Sequence, residues 1–343
     1  MHPQTYLLQT GRNKPRQSGV RLGAFLLALG CAAVVHAQQA AKPAGAYPAR
    51  PIRFVIAYPP GGGSDAVARV IAPRLGEVLG QQAVVDNRGG AATIIGMDLV
   101  AKSAPDGYTI GLATSNLAVN PALYQKLPYD AAKDFSYVTL LAKGLYVLAV
   151  HPSVPAKSVK ELIAVLKTDA GKITGATAGV GTPMHLGLEQ LNALLGVKVV
   201  AVNYKGAGPA AAAVIGGEAQ IMFATYSTIA GFIQAGRVRV LAVTSAERSP
   251  TAPDLPTAIE AGLPGLVVGE WYGIVMAART DKAHVDQLDR TLRAIVAEPD
   301  VKERFGRIGV EAIGQGPREF GAFMRSESAR WEKVVRSAGI KAE

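Results

Sequence analysis

The apolar run Ile52-Arg53-Phe54-Val55-Ile56-Ala57 breaks off at Tyr58-Pro59-Pro60-Gly61-Gly62-Gly63-Ser64-Asp65, after which apolar residues recur at Val67, Val70, Ile71, Leu75, Val78 and Leu79. This pattern reads as a strand, a glycine turn and an amphipathic helix. Glycine takes positive φ without strain and carries no Cβ, so bare N–H groups can approach a bound molecule, and the helix start adds the positive end of its dipole. Such a turn suits an anion. It also commits this stretch to an α/β arrangement, because a strand feeding a helix so tightly must bury one against the other.

The unit recurs along the chain. Short β-branched runs at Ala83 to Asp86 and Thr109 to Ala113 continue the first series. A second series contains Val147 to His151, a helix over Ser158 to Lys167, a strand over Ile173 to Ala176, a helix over Thr182 to Leu195, and strands over Val197 to Val202, Ile221 to Ala224 and Val238 to Val243. Alternation of this kind predicts mostly parallel sheets flanked by helices. The extended runs Leu145 to Val150 and Val267 to Val275 bracket the second series and read as crossing strands of a hinge. Two amphipathic helices, Lys282 to Ala297 and Pro317 to Ser337, then return to the first lobe. Pro73 falls inside the first helix, where it should kink or split it.

The second lobe repeats the opening loop as Ala178-Gly179-Val180-Gly181-Thr182-Pro183-Met184-His185, with Thr182 as N-cap and Pro183 in the first turn. If the lobes face each other, two helix N-termini converge on one cleft, a geometry for a dianion or zwitterion. Two other polar loops border strands, Tyr204-Lys205-Gly206-Ala207-Gly208-Pro209 with a cation and Thr114-Ser115-Asn116-Leu117-Ala118-Val119-Asn120 with hydroxyls and amides. Each of these loops also has a plain structural reading, as a tight connection or a solvated turn.

Nucleotide motifs do not match. Gly61-Gly62-Gly63-Ser64 lacks the lysine of a P-loop, and Gly179 to Met184 breaks the dinucleotide fingerprint at its third glycine. Beyond residue 37 only His151, His185 and His284 remain, none at metal-ligand spacing, and no serine elbow or zinc-protease motif occurs. Catalytic, metal and cofactor sites are therefore not expected. Of 343 residues, the formal net charge is +10, but Arg12, Lys14, Arg16 and Arg21 stand in the first 37 residues without an acid, leaving +6 beyond them. That charge is dispersed and lacks interleaved aromatics, which argues against nucleic-acid binding.

The basic start, the apolar run Leu22 to Val35 and Val35-His36-Ala37 form a signal-peptide pattern over residues 1–37. Cleavage after Ala37 would remove Cys31, the single cysteine, and leave an exported periplasmic protein without thiols. A second reading makes Cys31 the lipidated residue of a lipoprotein.

From Tyr47 to the C-terminus the chain resembles the extracytoplasmic solute receptors of tripartite tricarboxylate transporters, the Bug proteins. Its markers are Tyr47-Pro48-x-Arg50-Pro51-Ile52-Arg53, Pro59 to Asp65, Asn87-Arg88, Ala104-Pro105-Asp106-Gly107-Tyr108-Thr109, Gly181-Thr182-x-x-His185, Tyr204-Lys205-Gly206, Leu255-Pro256-Thr257 with Glu260-Ala261-Gly262, and Trp271. The resemblance implies a type II-like, two-lobed periplasmic binding protein with lobe 1 at 47–146 plus 272–343 and lobe 2 at 147–271. It also implies a monomer that closes over a small carboxylate, such as a di- or tricarboxylate, acidic amino acid or aromatic acid, and delivers it to membrane permease subunits. The ligand contacts implied are Tyr58, Gly62, Gly63, Ser64 and Asp65 in one lobe and Gly181, Thr182 and His185 in the other, with Thr114, Asn116, Lys205 and Gly206 at the cleft. Alternatives are an exported enzyme acting on a carboxylated substrate and a ligand-dependent sensor. Where the family reads Gly-Ala-Gly-Gly-Asn-Ile-Gly at a cleft-facing turn, this chain has Gly90-Ala91-Ala92-Thr93-Ile94-Ile95-Gly96. Ala213 and Gln220 replace family acids, and Ala277 to Lys282 replaces Ala-Pro-Ala-Gly-Thr-Pro.

Overall fold

A computed structural model describes residues 47–337 and 339–340. The signal-peptide and Cys31 expectations lie outside those residues. The first lobe begins with β1 (Ile52–Ile56), α1 (Gly63–Leu79), β2 (Ala83–Asn87), α2 (Ile94–Ala101), β3 (Thr109–Ala113), α3 (Ser115–Leu123) and β4 (Phe135–Gly144). The second follows with β5 (Tyr146–Val150), α4 (Val159–Asp169), β6 (Thr174–Thr177), α5 (Pro183–Leu195), β7 (Val200–Asn203), α6 (Ala207–Ile215), β8 (Ile221–Thr225), α7 (Tyr226–Gln234) and β9 (Arg239–Val243). The chain then returns through β10 (Glu270–Ala277), α8 (Lys282–Ala297), α9 (Pro299–Arg307), β11 (Val310–Gln315) and α10 (Pro317–Ser337).

The six strands of the first sheet run β11-β4-β10-β3-β1-β2 and the five of the second run β7-β6-β8-β5-β9. Both sheets are mixed, where the sequence predicts mostly parallel ones. β1 pairs in parallel with β2 and β3, and β6 with β7 and β8. β10 and β11 pair antiparallel with β4, β10 does so with β3, and β5 does so with both β8 and β9. The antiparallel strands are those next to the lobe crossings. A chain that leaves a sheet and later re-enters it has no need of the right-handed crossover that makes neighbours parallel.

The crossings are short. β4 and β5 are separated by Leu145 alone, whose N–H donates to the Gly309 carbonyl at 2.7 Å and whose carbonyl accepts from Tyr226 N at 2.8 Å. On the way back, Val268 is buried in the second lobe's core, Trp271 and Tyr272 in the first's. The return therefore passes at Gly269–Glu270, and Val267 to Gly269 precedes the strand expected there. Thr244 ties the two crossings, donating from N to the Tyr146 carbonyl at 2.9 Å and from Oγ1 to the Val268 carbonyl at 2.6 Å.

Alternation along β1 explains why helices cover both faces of the first sheet. Ile52, Phe54 and Ile56 pack with α1 and α8, while Val55 and Ala57 pack with α2, α3 and α10. Pro73 does not split α1, which is one helix of 17 residues. Pro73 is exposed, so the carbonyl it leaves without a donor lies on the face that water reaches.

The turn before α2 departs from ordinary backbone. Ala91, Ala92 and Thr93 take φ of 46, 49 and 75°, the left-handed region that a side chain disfavours. The surroundings hold them there, because Asn120 Nδ2 donates to the Ala92 carbonyl at 2.9 Å and Ile94 N to the Ala91 carbonyl at 3.0 Å. Glycine at 92 would relieve this strain and lose some of the gain to a freer unfolded chain. Ala92→Gly is therefore expected to stabilise by about 1 kcal/mol, a rise of roughly 2–4 °C in Tm. A melt by differential scanning calorimetry checks it, and an unchanged or lower Tm would mean the turn is unstrained.

Candidate functional site

A cavity of about 200 Å³ lies between the two sheets, the size of a small acid rather than a drug-sized ligand. Four helix starts contribute to its wall: Gly62 to Ser64 of α1, Thr182 to Met184 of α5, Gly206 to Gly208 of α6, and Thr225 before α7. The first amides of a helix have no carbonyl partner within it and carry the positive end of the dipole. Four such ends around one small space favour an anion.

The first of these ends is built by the glycine turn, though not as three left-handed residues. Gly61 alone is left-handed, at φ 89°, while Gly62 is extended at φ −93°, ψ 178° and Gly63 already begins α1. Asp65 holds the turn from behind. Its Oδ2 accepts from Gly61 N at 3.1 Å and Arg69 Nε at 2.8 Å, and its Oδ1 from Asn87 Nδ2 at 3.2 Å. Burial raises its pKa, but the hydrogen bonds from Arg69, Gly61 and Asn87 outweigh it and hold the carboxylate below the usual range. Gly63 is glycine for space, since a Cβ there would stand 2.7 Å from Tyr272 Oη and 3.2 Å from Thr225 Oγ1.

The second end is built by Thr182, the N-cap of α5. Its Oγ1 donates to the Gly179 carbonyl at 2.7 Å and accepts from His185 N at 3.4 Å. His185 Nδ1 accepts from Gly181 N at 3.3 Å, which assigns the ring proton to Nε2. Burial pushes the imidazole pKa below its ordinary value against the pull of Glu189, 3.8 Å away, so His185 is a neutral prop. Asn116 links the two loops, accepting at Oδ1 from Tyr58 Oη at 2.6 Å and donating from Nδ2 to the Gly181 carbonyl at 3.2 Å.

Of the residues the sequence singles out, Tyr58, Gly62, Gly63, Ser64, Thr182, Lys205 and Gly206 line the cavity. Asp65, Thr114, Asn116, Gly181 and His185 do not. They stand one layer back and shape the loops. Thr114 to Asn120 is the N-cap and first turns of α3 rather than a loop. The strained turn at Gly90 to Gly96, expected to face the cleft, also lies outside the lining.

Sequence reasoning missed the floor. Tyr146, Glu270 and Tyr272 line the cavity from the crossing strands. Among the described residues, Glu270 and Lys205 are its only acidic and basic lining residues. Tyr272 is fully buried, and its hydroxyl has no hydrogen-bond partner among the described residues. Burial first, then the charges of Glu270 and Tyr58, push its pKa far up, so it is held as a donor. The signal available was an acid in the otherwise apolar run Val267 to Val275.

The family model for the tripartite tricarboxylate transporter family receptor, TctC, matches residues 67–340. A Pseudomonas sp. (strain P51) protein from the tcbD-tcbE intergenic region is 38% identical over 291 residues, spanning 84% of this chain and 87% of its own. BugT of Bordetella pertussis is 34% identical over 93% of this chain and 97% of its own. Among solved structures, an R. palustris protein with adipate superposes at TM-score 0.83, 33% identical, over 86% of this chain and 99% of its own. MatC from Rhodopseudomonas palustris with bound malate superposes at 0.79, 30% identical, over 84% and 100%. The periplasmic binding protein BugD superposes at 0.81, 34% identical, over 87% and 100%. The chain belongs to the tripartite tricarboxylate transporter receptor family of periplasmic solute-binding proteins.

Proposed function

We propose that this receptor captures a small carboxylate between its two lobes, and presents the closed form to the permease subunits of a tripartite transporter. The family is one of receptors and not of enzymes. The observation that carries the reading is the convergence on one cavity of four helix starts and the Tyr272 hydroxyl, which has no partner among the described residues. Together they supply N–H and O–H donors fixed before the ligand arrives, so little ordering is left to oppose binding. Adipate and malate in two relatives support the same ligand class. The leader pattern of residues 1–37 supports export as a signal-peptide-bearing precursor, and a ligand that favours the closed arrangement shifts the population toward it.

Isothermal titration of residues 38–343 against dicarboxylates, hydroxy acids, acidic amino acids and aromatic acids tests the reading. At least one class is expected to bind with one site. A folded sample that binds none of them sinks the proposal.

A further inference from the structure

The cavity contains an acid of its own. Glu270 opens β10, is 8% exposed, and lines the cavity floor. Its Oε1 accepts from Ser115 N at 3.1 Å and Ser115 Oγ at 2.6 Å, so the first turn of α3 holds a carboxyl supplied by the protein. The titratable groups acting on it or on which it acts are Tyr58 after β1, Tyr146 on β5, Tyr272 on β10 and Glu327 on α10, and Lys205 also lines the cavity. The three tyrosines are pushed far above their usual pKa, first by burial and then by Glu270 itself, so they remain neutral donors. For Glu270, burial is the largest effect and Glu327 adds to it. The bonds from Ser115 and the Trp271 backbone act the other way, and the carboxyl settles at about 7.

A dicarboxylate with one end at the helix starts brings its second charge toward this carboxyl, because the cavity is too small to keep the two far apart. Two carboxylates in one desolvated space do not both stay ionised.

We infer that Glu270 is the specificity-determining residue of the cavity, its carboxyl sharing a proton with the distal carboxylate of the ligand, so that the site takes up a dicarboxylate together with one proton. The inference rests on the carboxylate-receptor reading above. The proton comes from solvent and lies between the two carboxyls, one donating and one accepting. Without a distal carboxylate a ligand leaves Glu270 as it was.

Titration calorimetry of wild-type protein with adipate, malate, glutamate and hexanoate at about pH 6 and about pH 8, in buffers of different ionisation enthalpy, counts the protons. At the higher pH, uptake approaching one proton is expected for adipate or malate and none for hexanoate. At the lower pH Glu270 is already protonated and uptake falls away. Linkage then makes dicarboxylate binding tighter at the lower pH by up to about tenfold. Glu270→Gln keeps a donor of the same shape, and is expected to abolish both the uptake and the pH dependence. Should that variant fail to fold, Ser115→Ala supplies the second arm. Loss of the Oγ bond favours protonated Glu270 and moves the midpoint of the pH profile upward, a shift no merely structural role would produce. Dicarboxylate binding without proton uptake, or uptake that persists in Glu270→Gln, overturns the inference and leaves the receptor reading intact. Stronger binding of glutamate than of adipate, lost in Glu270→Gln at the higher pH, overturns it in favour of Glu270 accepting from an ammonium group. Failure of every panel member on folded wild-type protein overturns the receptor reading and this inference together.

Discussion

Trp331→Ala is expected to lower the unfolding free energy by roughly 3–5 kcal/mol, the range for deleting a fully buried large aromatic side chain. Trp331 is 0% exposed and packs in the core cluster that also contains Leu117 and Leu123 of α3, Phe320 and Met324 of α10, and Trp271 of β10. Its indole is fixed on two sides. Nε1 donates to Glu327 Oε2 at 3.3 Å, and the Arg330 guanidinium lies 4.1 Å over the ring. Alanine removes the ring, leaves a cavity that the neighbouring helices cannot close without shifting, and strips Glu327 of a partner. Guanidinium chloride titration monitored by far-UV circular dichroism measures the cost, and a loss below about 1 kcal/mol would mean α10 is not anchored by this residue. Ligand affinity measured below the transition is expected to change little, because Trp331 packs in the core and does not line the cavity.

That separation between packing and binding also explains what the sequence reveals. Lys282–Ala297 and Pro317–Ser337 match the expected helices to the residue because their apolar stripes are long and their starts carry Asp281 and Pro317. The strands that the sequence marks lie within three residues of expectation, since short apolar runs mark a strand better than its ends, but β4 and β11 were not expected at all. Helix α3 was illegible. Ser115-Asn116-Leu117-Ala118-Val119-Asn120-Pro121 has the composition of a turn, and the helix forms because α10 buries it and Asn120 bonds outward to Ala92 and Tyr129. The cavity loops were legible because glycine turns announce themselves. The cavity floor was not. Tyr146, Glu270 and Tyr272 come from strands whose apolar neighbours read as hinge, and only the return of the chain at Gly269–Glu270 sets them beneath the loops.

Gly62→Val is expected to weaken carboxylate binding by at least about tenfold, roughly 1.4 kcal/mol, with stability changed by no more than about 0.5 kcal/mol. Gly62 is extended, a conformation open to any residue, and a Cβ there meets nothing within 4 Å. The added methyls therefore strain no backbone and strike no neighbour. They occupy the cavity, which Gly62 lines, and cover amides at the start of α1. The adjacent Gly63→Ala makes the comparison informative. Its methyl would stand 2.7 Å from Tyr272 Oη, 3.2 Å from Thr225 Oγ1 and 3.3 Å from Ser227 Oγ, so one added carbon presses α1 against the crossing strand and the start of α7. That variant is expected to lose stability as well as affinity, by about 1–3 kcal/mol for overpacking. Calorimetric titration and thermal melts on both variants separate the two roles. If Gly62→Val binds as wild type, the start of α1 does not hold the ligand; if it melts like Gly63→Ala, the loop is packed more tightly than its open Cβ position implies.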